Sequence, residues 1–198
     1  RSMTRAEAAA IFARLLAEKN GDTISTAANT KFADIPAHAW YSGYVKYLSN
    51  NGITYGKSKT VFAPNDAITR AEFTTMAVRF FDVYGDGDAE IMEQFSGFND
   101  VSSGYWAAEY IKYAALHGWI NGYGDGSVHA DREINRAEVV TIVNRLLGRE
   151  ADEDYIADNL RKLNTFPDVS RKHWAYYAVM EAANAHTAVL DESESWSK

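Results

Sequence analysis

A module of about 66 residues recurs along this chain, and the repeat limits the folds that are open to it. The tetrapeptide Thr-Arg-Ala-Glu starts at Thr4 and Thr69, and Asn-Arg-Ala-Glu starts at Asn135. The motif arginines lie 65 and 66 residues apart. Each motif opens a stretch with apolar residues at helical spacing. Because repeated units bury their apolar faces against their neighbours, the pattern predicts units that share one core.

The motif also predicts how each of these helices begins. The Thr or Asn accepts a hydrogen bond from the backbone N–H three residues on, and the Glu carboxylate reaches back to the cap. Arg5, Arg70 and Arg136 then occupy the first helical position, where the dipole disfavours a cation but favours a bound anion. We therefore predict that these arginines and the helix-start N–H groups bind an anion. The alternative is a surface arginine that pairs with a nearby carboxylate.

A second element lies between the arginine helices, in the form Phe-x-Asp, then tryptophan, then an amphipathic helix. The aspartates have two open interpretations, because they could cap the following turn or bind a ligand. The tryptophans are favoured as core anchors, since each begins a helix whose apolar residues share its face, and sugar platforms are the alternative. The element starts at Phe32, Phe98 and Phe166, its aspartates are Asp34, Asp100 and Asp168, and its tryptophans are Trp40, Trp106 and Trp174.

Turn-rich loops follow the first two copies of this element. Gly56 and Gly122 occupy equivalent positions, and Lys57 lies beside the first of them. A short extended piece is expected over residues 60–63. Lys57 has two interpretations: a solvated loop residue, or a contact to an anionic polymer.

Composition excludes several functional classes. The 198 residues carry a net charge of −7, so no global basic field exists for nucleic acid. The chain has no cysteine, its 5 histidines lack metal spacing, and no apolar run reaches a membrane span of about 18 residues. We therefore predict no cofactor, no metal site in the repeats and no membrane insertion. One competing motif, Asp82–Glu93, approaches a calcium-binding loop, although Tyr84 replaces the ligand expected at loop position three.

The predicted fold is mostly all-α, with three helix–loop–helix units in a pseudo-threefold arrangement. The boundaries are 4–19 for the closing helix of a first unit, 32–82 and 98–148 for two complete units, and 166–198 for an opening half. We expect 166–198 to pair with 4–19, because either half alone exposes an apolar helix face. The acidic segments 82–97 and 149–164 are linkers, and the second is expected to contain a short helix.

The ordered Phe-x-Asp…Trp and Thr/Asn-Arg-Ala-Glu motifs resemble the surface-layer homology (SLH) family over nearly the whole chain outside the linkers. The resemblance implies a pseudo-threefold helical domain that anchors an exported protein to the bacterial cell wall without a covalent bond. The implied ligand is an anionic secondary cell-wall polysaccharide, often carrying a pyruvate ketal, bound in grooves to which Arg5, Arg70 and Arg136 contribute. The chain departs from the family because it begins at a closing helix, and because its third unit has no recognisable loop.

These arguments lead to one expected function and two alternatives. We expect a non-enzymatic cell-surface module, part of a longer protein with an unknown cargo domain. A calcium-dependent protein-docking module and, less favoured, a glycoside hydrolase are the alternatives, although acids that recur with the repeat make a poor catalytic pair. The candidate ligand-binding residues are Arg5, Arg70, Arg136, Asp34, Asp100, Asp168, Trp40, Trp106, Trp174, Gly56, Gly122 and Lys57.

Overall fold

The computed structural model describes residues 1–85, 95–190 and 194–197, which form two compact units, 1–134 and 135–198. Helices dominate both, which confirms the predicted all-α class. A short antiparallel hairpin pairs Thr187 with Ser197, whereas the piece expected to be extended over 60–63 is a loop. The elements are α1 (Arg5–Asn20), α2 (Ser42–Asn50), α3 (Arg70–Tyr84), α4 (Ala108–Leu116), α5 (Arg136–Leu146), α6 (Glu153–Asn159), a 3-10 turn (Leu160–Lys162), α7 (Tyr176–Ala183), β1 (Thr187–Leu190) and β2 (Glu194–Ser197).

The predicted capping boxes are present at all three arginine helices. At α1 the Thr4 hydroxyl accepts the Glu7 N–H at 3.2 Å, and the Glu7 carboxylate accepts the Thr4 N–H at 2.9 Å. The same reciprocal pair begins α3 at residues 69 and 72 and α5 at residues 135 and 138. Each motif arginine is therefore the first residue of its helix, as predicted.

A closed ring of three backbone hydrogen bonds joins the residues just before the caps. The Ile68 N–H donates to the Met3 carbonyl at 2.9 Å, the Ile134 N–H to Ile68 at 3.0 Å, and the Met3 N–H to Ile134 at 3.0 Å. All three side chains are buried. The three residues share one position in the repeat, so the ring is a pseudo-threefold contact within residues 1–134.

In the first unit each arginine helix packs against the helix that follows it, α1 on α2 and α3 on α4, and α1 also packs on α3. The fully buried Phe12 ring lies 5.2 Å from the Phe73 ring and 5.0 Å from the Phe80 ring, measured between centroids. Phe12 of the apolar face of α1 is therefore buried within this unit, whereas Ile11 and Leu15 of the same face are half-buried. The pairing of 4–19 with 166–198 itself stays a prediction.

The second unit has its own apolar cluster. α5 packs on α7, and the Asn144 side-chain amide donates to the Ala178 carbonyl at 2.9 Å. Ile156 of α6 packs with Tyr176 and Met180 of α7. The short helix predicted within residues 149–164 is thus present, and its apolar residues serve as core of this unit.

Candidate functional site

The Phe-x-Asp aspartate of the first complete repeat holds a loop in place. The Asp34 carboxylate accepts the Phe62 N–H at 2.9 Å and the Ala63 N–H at 2.6 Å. Ala63 has φ of 59°, a left-handed conformation that a residue with a Cβ rarely adopts without support. Asp34 thus has a structural role, whereas Asp168 is exposed. In the next repeat, Asp100 makes the same bonds to Val128 at 2.9 Å and to His129 at 2.7 Å, and His129 has φ of 50°.

The loop glycines are required by packing against the phenylalanine of the same motif. Gly56 has φ of 82°, and a Cβ there would lie 2.4 Å from Cε1 of Phe32. A Cβ at Gly122 would lie 2.5 Å from Cε1 of Phe98. Both distances are below any ordinary carbon contact, so these positions need glycine whether or not a ligand binds.

Burial and local bonds explain why a helix can begin with an arginine, although the helix dipole disfavours a cation there. The Arg5 side chain donates from Nε to the Phe62 carbonyl at 2.7 Å, and its Nη1 lies 3.1 Å from Oε1 of Glu72. Arg5 is 4% exposed. Arg70 is also buried and donates from Nε to the Val128 carbonyl at 2.8 Å. Arg5 does pair with a carboxylate, that of Glu72 in the next arginine helix, but it is a buried residue and not the surface arginine of the alternative interpretation.

The helix-start N–H groups of α1 and α3 are occupied by the protein itself. In α1 the Arg5 N–H donates to the Asp66 carbonyl and the Ala6 N–H to the Pro64 carbonyl, both at 3.0 Å. In α3 the carbonyls of residues 132 and 130 accept the equivalent N–H groups, both at 2.9 Å. The prediction that these N–H groups bind an anion is therefore wrong for both helices, because loop carbonyls satisfy them. At these two helix starts an anion would therefore have to be held by side chains.

A groove lies between the loop 53–56 and one face of α3, entirely within residues 1–134. Its volume is about 90 Å³. Arg5 lies along it, and Trp106 contributes an aromatic ring. The α3 residues that line it are Glu72, Thr75, Met76 and Arg79.

Arg79 is a groove residue that the sequence analysis missed. Its Nε and Nη2 atoms lie 3.2 and 3.0 Å from the Tyr110 hydroxyl, and its guanidinium carbon lies 4.9 Å from that ring. The Tyr55 ring lies 4.7 Å away. A repeated signal marked this position, since an arginine follows each motif arginine by 9 residues, at Arg14, Arg79 and Arg145.

The favoured interpretation of the tryptophans as core anchors was wrong. Trp40 and Trp106 are each 57% exposed, and Trp174 is 65% exposed. Other residues bury the adjoining helices, such as Val45 and Leu48 in α2. An exposed indole presents a flat apolar face with a polar N–H edge, which suits contact with a sugar ring. Trp106 is the one that lines the described groove.

One ionisable group beside Trp106 has a strongly displaced pKa. Burial, together with a 2.6 Å hydrogen bond to the Asp131 carboxylate, raises the pKa of Tyr105 to about 12. Tyr105 therefore stays neutral at physiological pH and keeps donating to Asp131. Its ring centroid lies 5.8 Å from that of Trp106, so a neutral, anchored phenol adjoins the indole.

The other candidate residues lie outside the groove. Lys57 is exposed and pairs with Asp66 at 3.1 Å, and Arg136 is exposed in the second unit. Residues 86–93 of the calcium-loop candidate lie outside the described residues. In the described ranges, no three His, Asp or Glu side chains are grouped to hold a metal ion. None of the helices in those ranges has the length and apolar character needed to cross a membrane.

Comparison with known proteins gives a consistent set of similarities. A family model described as S-layer homology domain matches residues 31–74 and 97–140. The chain is 33% identical to Cell surface glycoprotein 1 of Acetivibrio thermocellus, over 100% of this chain and 8% of that protein. It is 30% identical to Cellulosome-anchoring protein of the same organism, over 97% of this chain and 41% of that protein. It is 32% identical to Surface-layer 125 kDa protein of Lysinibacillus sphaericus, over 74% of this chain and 12% of that protein. The chain thus spans less than half the length of each.

Proposed function

Because this chain belongs to the S-layer homology domain family, we propose that it anchors its parent protein to the bacterial cell wall by binding an anionic, pyruvate-ketal-bearing secondary cell-wall polysaccharide. The predicted cell-surface location is confirmed by the same comparisons. The relative described as a cellulosome-anchoring protein supports the anchoring role. The identity of the glycan and the presence of a cargo domain in the parent protein are part of the proposal.

The observation that carries the glycan proposal is the composition of the groove in the first unit. It combines an exposed indole, Trp106, with the arginines Arg5 and Arg79 and the carboxylate of Glu72. Sugar rings present apolar C–H faces that stack on aromatic side chains, and their hydroxyls donate to carboxylates. A carboxylate on the sugar would meet an arginine fork of matching geometry. The groove therefore provides one complementary group for each part of an acidic sugar.

Sedimentation with purified cell-wall sacculi tests this function. We expect the chain to sediment with intact sacculi and to stay in solution after the wall polysaccharide has been removed chemically. Trp106→Ala should reduce sedimentation, whereas Val83→Ala, an exposed apolar residue of α3 outside the groove, should not. Equal sedimentation with intact and stripped sacculi would refute the polysaccharide as the ligand. Loss of binding in EDTA would instead favour the calcium-dependent docking alternative.

A further inference from the structure

We propose that the carboxylate of the bound glycan is held by Arg79 and Thr75, and that the motif arginine Arg5 is a positioning residue. This inference rests on the proposed function, because it names the groups that recognise the charge of that ligand. The sequence analysis expected the anion at the start of α1, whereas this proposal places it against the middle of α3.

Arg5 is poorly placed to bind a second anion. Its Nε donates to the Phe62 carbonyl, its Nη1 pairs with Glu72, and almost none of its surface is exposed. The carboxylate of Glu72 already neutralises its charge. What Arg5 does is join the Phe62 carbonyl to Glu72 of α3, and α3 is one wall of the groove.

Arg79 has the opposite character. Its two hydrogen bonds go to a neutral group, the Tyr110 hydroxyl, and it forms no ion pair with a carboxylate in the part of the chain that the structure describes. A guanidinium has five N–H donors, so several stay available for an incoming anion. The rings of Tyr55 and Tyr110 lie on it at 4.7 and 4.9 Å and restrict its orientation. Arg79 is therefore a preorganised cation whose charge is not neutralised.

Thr75 supplies a second, independent observation. Its Oγ1 is buried and has no hydrogen-bond partner, and the residue is only 4% exposed. Thr75 lies one helical turn before Arg79, so both side chains project from the same face of α3 into the groove. Buried hydroxyls are nearly always paired, and an exception calls for an explanation. A ligand oxygen that completes the hydrogen bond is the explanation we infer.

The equivalent positions in the other repeats show that the unpaired hydroxyl is specific to this helix. The Thr141 hydroxyl of α5 donates to the Ala137 carbonyl of its own helix at 2.9 Å. The residue in α1 is Ala10, which has no hydroxyl. Thr75 could satisfy itself as Thr141 does, yet its hydroxyl is unpaired beside the groove cation. A carboxylate has two oxygens, so it can accept from the hydroxyl and the guanidinium at once.

The decisive experiment measures the affinity of purified wall polysaccharide by calorimetry for Arg79→Gln, Thr75→Val and the wild-type chain. Loss of a charge-assisted hydrogen bond predicts about tenfold to hundredfold weaker binding for Arg79→Gln, and loss of a neutral one predicts about twofold to tenfold for Thr75→Val. Thr75→Ser should restore affinity, because it keeps the hydroxyl. Lys46→Gln removes the same charge from an exposed site on α2 and should bind as the wild type does.

Two chemical treatments of the polysaccharide identify the source of the carboxylate. Mild acid removes pyruvate ketals, whereas carbodiimide activation followed by borohydride reduces every carboxyl group, including those of uronic acids. If the ketal is recognised, the affinities of the wild type and Arg79→Gln converge after mild acid. If a uronic acid is recognised, they converge only after reduction. The proposal that Arg79 and Thr75 hold the acid stands in either case, while only the first supports the ketal.

The outcomes separate this inference from the proposed function. A wild-type chain that binds native and fully reduced polysaccharide equally well would refute an anionic ligand altogether. A wild-type chain that prefers the acidic form, with both variants retaining full affinity, would overturn the inference alone. Arg14→Gln controls for stability, because Arg14 bonds to the Tyr44 hydroxyl at 3.2 and 3.1 Å in the same way but does not line this groove. Its melting temperature gives the change expected from loss of the Arg–Tyr pair.

Discussion

Replacing Arg5 by Met removes the link between the loop and α3 while keeping an unbranched side chain of similar length. The Glu72 carboxylate loses its partner at 3.1 Å and the Phe62 carbonyl loses its donor at 2.7 Å. Removing one partner of a buried ion pair costs about 3–5 kcal/mol. Glu72 keeps the Thr69 N–H at 3.1 Å and is 20% exposed, which places the cost near the lower limit, about 3 kcal/mol.

For a chain of this size, a loss of about 3 kcal/mol corresponds to a fall of about 6 to 12 °C in melting temperature. Circular dichroism during heating measures that change directly. Arg136→Met is the matched control, since Arg136 begins α5 with the same capping box but is exposed. We expect its cost to stay below about 1 kcal/mol, as for exposed ion pairs.

The result that would refute this reasoning is a melting temperature for Arg5→Met within about 2 °C of the wild type. The bonds of Arg5 to Phe62 and Glu72 would then add little to stability, and Arg5 would not be a positioning residue. Equal losses for Arg5→Met and Arg136→Met would also contradict the argument, because burial would no longer distinguish the two helices.

Three further predictions follow from the loop and its surroundings. Gly56→Ala should lower the free energy of unfolding by more than about 1 kcal/mol, because the positive φ strains any other residue and the new Cβ would meet the Phe32 ring. Gly104→Ala is the control, since a Cβ there meets open space, and chemical denaturation should show no change in its stability. Asp34→Asn should lower stability by about 1–3 kcal/mol, since an amide offers one acceptor oxygen for two backbone N–H groups, and an unchanged denaturation midpoint would contradict this. Tyr105 should ionise near pH 12 in an absorbance titration. Because its pKa is raised in the folded state, its contribution to stability is present below about pH 10 and is lost as the pH rises through about 12. Tyr105→Phe should remove that alkaline loss of stability.

The beginnings of the helices could be read from the sequence because they depend on groups three residues apart. Thr4 and Glu7 form a capping box from spacing alone, and the same holds for α3 and α5. The repeat likewise predicted the helical class, since an apolar face at helical spacing must be buried against equivalent faces. The family resemblance rested on this regularity, and it supplied the expectation of an anchoring function and of an anionic glycan.

The groups that bond to those helix starts come from distant parts of the chain, which the local spacing of residues does not reveal. Arg5 meets a carbonyl 57 residues away, and carbonyls from the loop 64–66 occupy the helix start that an anion was expected to use. Asp34 holds that loop in the path that places these carbonyl oxygens on the helix-start N–H groups. Trp106 is likewise exposed beside a groove, although its sequence context favoured the core.

The groove shows the division most clearly. Arg79 and Thr75 stand four residues apart, so the sequence alone determined that they share a face of α3. Whether that face meets solvent, core or ligand was decided by tertiary packing, which sets Tyr55 and Tyr110 on the guanidinium and leaves the hydroxyl buried without a partner. Local hydrogen bonds follow from spacing because the helix fixes the geometry within one turn, whereas neutralisation and burial depend on residues that only the folded chain brings near.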